Sequence, residues 1–214
     1  VEPDGTPGQW YLHLFDVTQP DLNWGNADVR AEFVAVLRFW LDRGVDGFRV
    51  DVAHGLIKEK DLADWHYPSA ILGGLGDQGP PPPMWDQDGV HEIYQQWRAV
   101  LDTYPGGRVL VAEAWVQPAE RLARYVRPDE MHQAFNFAYL ETPWQAGPLR
   151  RVIDDSIDAF AAVGAPSTWV LSNHDVVRHA TRLALTEPTA SSDMDTVLVM
   201  FAVTGGTPTA SSAG

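Results

Sequence analysis

The sequence contains no cysteine, so disulfides, thiolate zinc sites and cysteine nucleophiles are excluded. It is poor in cations: 15 Lys and Arg stand against 29 Asp and Glu, a formal net charge of −14. That balance argues against nucleic acid or an anionic membrane surface as partner, since both need clustered Lys and Arg. An acidic surface suits solubility and a neutral substrate. No apolar run approaches the roughly 18 residues of a membrane span, and there is no glycine-rich phosphate loop. No secretory leader is legible, and a cytoplasmic location is the expectation. The chain opens at Val1 with the turn-rich Glu2-Pro3-Asp4-Gly5, as though cut from something longer.

What is present allows a sizeable core. The 214 residues are 45% hydrophobic and include nine Trp. A flat indole suits the C–H face of a pyranose, but ordinary core packing is the expectation for most of the nine.

Strand-like and helix-like segments alternate along the chain. Tyr11 to Phe15 reads as a short strand. A helix starts after Asn26, a good N-cap, with Asp28 in its first turn. Its apolar stripe is Val29, Phe33, Val36, Leu37, Trp40 and Leu41, close to a period of 3.6. Gly44 ends it, and Val45 to Asp51 reads as a buried strand. Val52 to Trp85 is irregular, with Gly73-Gly74 and the run Pro80 to Pro83. A second helix carries Val90, Ile93, Tyr94, Trp97, Val100 and Leu101 on one face and stops at Gly106-Gly107. Arg108 to Trp115 is a further buried strand. A weaker helix spans Pro118 to Tyr125, a strand Phe135 to Tyr139, and a strong helix with Leu149, Val152, Ile153, Ile157 and Phe160 ends near Gly164. Thr168 to Asn173 is the next strand, and an apolar segment runs from about Met194 to Val203. This alternation predicts α/β architecture, a parallel sheet with helices outside. A doubly wound sheet and a (β/α)8 TIM barrel both fit the periodicity. Acidic residues at three successive strand ends favour the barrel, whose active sites lie at the C-terminal ends of its strands.

Gly47-Phe48-Arg49-Val50-Asp51 puts Arg49 and Asp51 on one strand face, the barrel interior. Arg49 can offset the cost of burying the carboxylate, and an ionised, oriented Asp is what a nucleophile requires. A structural ion pair or a helix cap would use the same residues. Val109 to Trp115 ends an apolar strand on Glu113, with no cation adjacent in sequence. Apolar neighbours favour a protonated carboxyl, suited to a general acid, although a solvated strand-end Glu also fits. Trp169 to Asp175 ends on Asn173-His174-Asp175, either a turn cap or a cluster for sugar hydroxyls. Together, Asp51, Glu113 and Asp175 are much harder to dismiss than singly. Two carboxyls about 5–5.5 Å apart define a retaining glycosidase, with the third available to stabilise a cationic transition state.

Gln19-Pro20-Asp21-Leu22-Asn23, Gly47-Phe48-Arg49-Val50-Asp51, Glu113-Ala114-Trp115 and Ser172-Asn173-His174-Asp175 occur in that order. They resemble four signatures of the α-amylase superfamily, glycoside hydrolase family 13. The first, preceded by Tyr11-Leu12-His13-Leu14-Phe15, resembles the oligo-1,6-glucosidase and α-glucosidase branch. The resemblance runs from about Gly8 to Val203. It implies Asp51 as nucleophile, Glu113 as acid/base and Asp175 as transition-state stabiliser. It also implies Arg49 orienting Asp51, His174 binding sugar in the −1 subsite, His54 lining the +1 subsite, and Phe137 and Arg178 approaching the pocket. The expected substrate is a short α-1,4- or α-1,6-linked oligosaccharide. Val52, next to the nucleophile, resembles the α-1,6-cleaving members.

The resemblance also implies boundaries. Residues 1–23 look like the tail of an inserted domain B. Residues 24–203 look like about strands 4 to 7 of a barrel with their helices. Residues 204–214 do not match the family and are expected to be a disordered or aberrant tail. The family's first three strands and their −1 sugar signature are not in the sequence. No cofactor is required for the chemistry. Relatives bind a structural calcium through an early loop that is not here, and Asp86-Gln87-Asp88-Gly89 reads as a helix-start turn before it reads as a calcium loop. Two other readings stand beside hydrolysis. One is a glucosyl-transferring isomerase such as trehalose synthase or sucrose isomerase. The other is a non-catalytic homologue or inactive fragment; the heavy subunits of amino-acid transporters resemble this branch.

Overall fold

The computed structural model describes residues 2–65 and 82–183. In chain order the elements are α1 (Ala27–Leu41), β1 (Gly47–Val50), α2 (Val90–Leu101), β2 (Val109–Ala112), α3 (Ala119–Ala123), β3 (Gln133–Asn136), α4 (Phe137–Glu141), α5 (Ala146–Ala161), β4 (Thr168–Trp169) and α6 (His179–Arg182). All four strands are parallel, and their order in the sheet is their order in the chain. A doubly wound sheet reverses its strand order at a switch point. This one does not, so topology decides what periodicity left open: the fold is a partial (β/α)8 barrel.

Local chemistry accounts for the elements. Asn26 accepts the Asp28 N–H at 2.9 Å and opens α1. Gly44, at φ +90°, closes it with two bonds, Gly44 N–H to Leu41 O and Val45 N–H to Trp40 O. The same pair closes α5 at Gly164, from Gly164 N–H to Ala161 O and from Ala165 N–H to Phe160 O. Both are glycine C-caps in which a residue in the left-handed region turns the chain back. The predicted face of α2 is fully used: Val90, Ile93, Tyr94, Trp97, Val100 and Leu101 are all buried. Each such side chain contributes roughly 1.5–3 kcal/mol by leaving water. Gly47 lets β1 approach β2, since a Cβ there would meet the Val109 carbonyl oxygen at 2.3 Å.

Several expectations are corrected. Tyr11 to Phe15 forms no strand; the segment is tied by local bonds, Tyr11 Oη to Val17 O at 2.6 Å and Asp21 N–H to Leu12 O at 2.8 Å. The strand placed at Phe135 to Tyr139 lies earlier, at Gln133–Asn136. There the Asn136 side chain accepts the Tyr139 N–H at 3.0 Å, and Phe137 starts a helix instead. β1, β2 and β4 are shorter than predicted, and β4 stops at Trp169. Only Trp24, Trp85 and Trp97 of the nine Trp are buried, as befits a residue too large to be often fully enclosed. Val36 and Trp40 of the α1 stripe are 39% and 47% exposed. Among the described residues no strand pairs with the outer edge of β1, so this part of the stripe borders a 680 Å³ groove with Phe15, Leu22 and Phe48. The apolar segment near Met194 to Val203, the 204–214 tail, Gly73-Gly74, Pro80 and Pro81 lie outside the described residues.

Residues 2–26 contain no helix or strand. They are anchored through Asp21, whose carboxylate accepts the Leu14 N–H at 2.8 Å and Lys58 Nζ at 2.6 Å. This Asp, part of the first signature, therefore joins the N-terminal segment to the loop after β1.

Candidate active site

Parallel strands present all their C-terminal ends at one edge, and the candidate residues sit there. Asp51 directly follows β1, Glu113 follows β2, Phe137 follows β3, and Asn173 to Asp175 lie a few residues past β4. The register Val50↔Ala112 makes Asp51 and Glu113 neighbours across adjacent strands.

Arg49 Nη1 donates to Asp51 Oδ1 at 2.5 Å, as the alternation across Val50 predicts. The expected burial is not found: the Asp51 side chain is 70% exposed and that of Arg49 39%. The four described strands do not close on themselves, so the face they share is open. An exposed pair of this kind contributes about 1 kcal/mol or less to stability. Its value lies in fixing where the carboxylate points.

Glu113 is 3% exposed and held at both oxygens. Oε2 accepts the Val52 main-chain N–H at 2.6 Å, and Oε1 accepts the Trp115 indole N–H at 2.6 Å. Burial pushes its pKa up. The two donors oppose that rise, the Asp51 charge adds to it, and Arg49 opposes it. A carboxyl raised by an apolar setting beside a second, solvated carboxyl is the arrangement that separates an acid from a nucleophile.

The Val52 N–H reaches Glu113 because Val52 is left-handed, at φ 45° and ψ 44°. For a β-branched residue that costs on the order of 1–3 kcal/mol. The surrounding bonds hold it: Ala53 N–H to Glu113 O and Gly55 N–H to Val52 O, both 2.8 Å. The Tyr94 hydroxyl donates to Ala53 O from α2.

His54 lies in this turn, 3% exposed, tilted against Trp85 at 4.8 Å between centroids. Its Nδ1 accepts the Trp115 main-chain N–H at 3.4 Å. Burial, then the Lys58 charge, bring its pKa down to about 4. His54 is thus a neutral ring inside the loop, where the resemblance implied a sugar-facing side chain. Phe137 is likewise buried, its ring stacked on Trp115 at 3.8 Å and 8°.

The β4 end is looser. His174 Nε2 lies 3.5 Å from Asp175 Oδ1, with the His174 side chain 69% exposed. Asn173 Oδ1 caps the Asp175 and Val176 N–H groups at 3.0 and 3.1 Å. Arg178 donates to the Asn173 carbonyl. Among the described residues no hydrogen bond or ion pair joins this cluster to Asp51 or Glu113. β4 lies three strand steps from β1, roughly 14 Å along the sheet at about 4.8 Å per step.

Three contributors escaped the sequence reading: the Val52 N–H, the Trp115 indole and the Asp21–Lys58 bond. Trp115 was within reach, since a residue two positions from Glu113 at a strand end projects to the same side. Asp86 and Asp88 are engaged by arginines, Asp86 by Arg121 and Asp88 by Arg124 at 2.8 Å. With Val90 N–H bonded to Gln87 O at 3.0 Å, the segment is a turn into α2. Among the described residues no group of three potential metal ligands occurs, and no helix is long and apolar enough to cross a membrane.

Residues 2–210 match the family model "Alpha amylase, catalytic domain". The chain is 35% identical to Maltase A2 of Drosophila melanogaster over 195 residues, covering 82% of this chain and 33% of that protein. It is 36% identical to an Oligo-1,6-glucosidase of Heyndrickxia coagulans over 149 residues, covering 68% and 26%. Among solved structures it is similar to an alpha-glucosyl transfer enzyme, with a TM-score of 0.71 and 31% identity, over 83% of this chain and 35% of that one. The chain spans about a third of the length of the curated relatives it matches.

Proposed function

Because this chain belongs to the α-amylase catalytic-domain family, we propose that it carries the catalytic carboxyls of a retaining α-glucosidase acting on short oligosaccharides. The observation that supports this best is that Asp51, aimed by Arg49, and Glu113, buried with a raised pKa, follow neighbouring strands in register. In this reading residues 24–203 are the barrel segment, and residues 1–23 belong to an inserted domain.

Asp51 attacks the anomeric carbon. As that bond forms the glycosidic C–O bond breaks, and the Glu113 proton passes to the departing oxygen. Glu113, now a carboxylate, takes a proton from water. The water oxygen then attacks the same carbon and releases Asp51. Asp175 stabilises the oxocarbenium-like charge in both steps, His174 holds the −1 sugar, and Arg49 keeps Asp51 aimed.

The test is hydrolysis of p-nitrophenyl α-glucoside by the complete barrel. Asp51→Asn lowers turnover by about a thousandfold or more, and proton NMR shows α-glucose as the first product. Wild-type-like turnover in the variant, or β-glucose appearing first, overturns the reading. Linkage choice is part of the same proposal: Val52 favours α-1,6 bonds by about 1–3 kcal/mol at most, read as isomaltose against maltose for wild type and Val52→Thr. Glucosyl transfer is the second reading, favoured by the likeness to a transfer enzyme. It uses the same first step with a sugar in place of water.

A further inference from the structure

Glu113 links two strand ends directly and a third through Trp115. It follows β2, its Oε2 meets the Val52 N–H past β1, and its Oε1 meets Trp115, whose ring lies face to face on Phe137 at the end of β3. Phe137 is itself 4% exposed, so the stacking partner is fixed. The Trp115 backbone is fixed as well, through its N–H to His54 Nδ1. A carboxyl gripped at both oxygens from different strands has one orientation, and the grip at Oε1 depends on an indole nitrogen that no other aromatic side chain would supply at that place.

We propose that Trp115 is a positioning residue for Glu113: its indole N–H, pinned by the stack on Phe137, sets the orientation and proton affinity of the acid/base carboxyl. This rests on the reading of Glu113 as the acid/base. Such a group must be protonated in one step and ionised in the next. Burial and the Asp51 charge favour the protonated form, while the Val52 and Trp115 donors and Arg49 favour the carboxylate. His54, facing Trp115 from the turn, is neutral near physiological pH and adds no charge. Without the Trp115 donor the balance moves toward the protonated form.

The experiment is a carbon-13 NMR titration of the 214-residue chain labelled at its glutamate carboxyls, with the Glu113 signal assigned by its loss in Glu113→Gln. In Trp115→Phe, which keeps the stack and removes the donor, the Glu113 midpoint rises by about one pH unit, the size expected for one lost hydrogen bond to a charged group. If Trp115→Phe does not fold, replacing Trp115 with benzothienylalanine removes only the N–H and gives the same rise. An unchanged midpoint in a folded variant overturns the proposal whatever the enzyme's activity. The titration needs no substrate, so it stands apart from the proposed function. In the active barrel the alkaline limb of kcat/KM moves up with the midpoint; a moved midpoint with an unmoved limb keeps the clamp and removes Glu113 from the acid role.

Discussion

The end of β2 and the end of β4 carry similar acids in different settings. Glu113 is buried and bonded at both oxygens, by the Val52 N–H past β1 and by Trp115 of its own segment. Among the described residues the Asp175 carboxylate is met by His174 of its own loop, at 3.5 Å. The difference follows from sheet position. Among the described residues β2 has paired neighbours on both sides, with a register of four residue pairs to β1, whereas β4 pairs only with β3, over two. Neighbouring strand ends create a carboxyl's environment, and an acid at the margin of the described sheet receives little of it. Four strands are half of an eight-stranded barrel, so the two ends face one another only across its mouth.

The strongest challenge to this contrast is catalytic. If both ends serve one site, Asp175→Asn lowers kcat/KM on p-nitrophenyl α-glucoside by about a hundred- to a thousandfold, while its unfolding free energy stays within about 0.5 kcal/mol of the parent. Unchanged turnover would separate the β4 end from the site.

A smaller effect measures how unequally the two ends are packed. Leu110 in β2 is 0% exposed and Leu171 beyond β4 is 9%. Leu110→Ala costs about 3–4 kcal/mol and Leu171→Ala about half of that, at the bottom of the range for buried leucines, both read by urea unfolding. Equal losses would mean that the β4 end is as firmly built as the β2 end.

The smallest effect sharpens the comparison through pH. The folded pKa of His54 is about 4, below its ordinary 6.5. Above pH 6.5 the ring is neutral in both states and its burial costs nothing in protonation. As pH falls from 6.5 toward 4 the unfolded chain takes up a proton that the folded one refuses, and stability is lost, by about 2 kcal/mol at pH 5. His54→Asn removes that part of the acid-side slope, seen by comparing unfolding at pH 7 and pH 5. A slope unchanged by the substitution would show that the turn beneath the site is not closed to protons.

Much of this was legible in the chain. Asn26 and Gly44 bracket α1 because a cap and a left-handed glycine act within a few residues. The α2 stripe is buried as its period predicts, and the raised pKa of Glu113 agrees with its apolar strand. The errors are of two kinds. Asn136 capping its own helix was a local signal overlooked in favour of β-like Phe135 to Tyr139. The solvation of Asp51 and the burial of His54 were not local at all.

The sequence by itself determined where helices begin and end, which face of each is apolar, and that acids stand at successive strand ends, because caps, glycines and periodicity are written within one turn or one pleat. Only the tertiary structure decided that the sheet runs in chain order without a reversal. It alone decided that Val52 turns its N–H toward a carboxyl 61 residues away, and that Trp115 rests on Phe137 from the next strand. A carboxyl's proton affinity depends on donors, charges and lost water within a few ångströms, and here the Val52 N–H, Asp51 and Arg49 come from a neighbouring strand that only the folded sheet brings alongside.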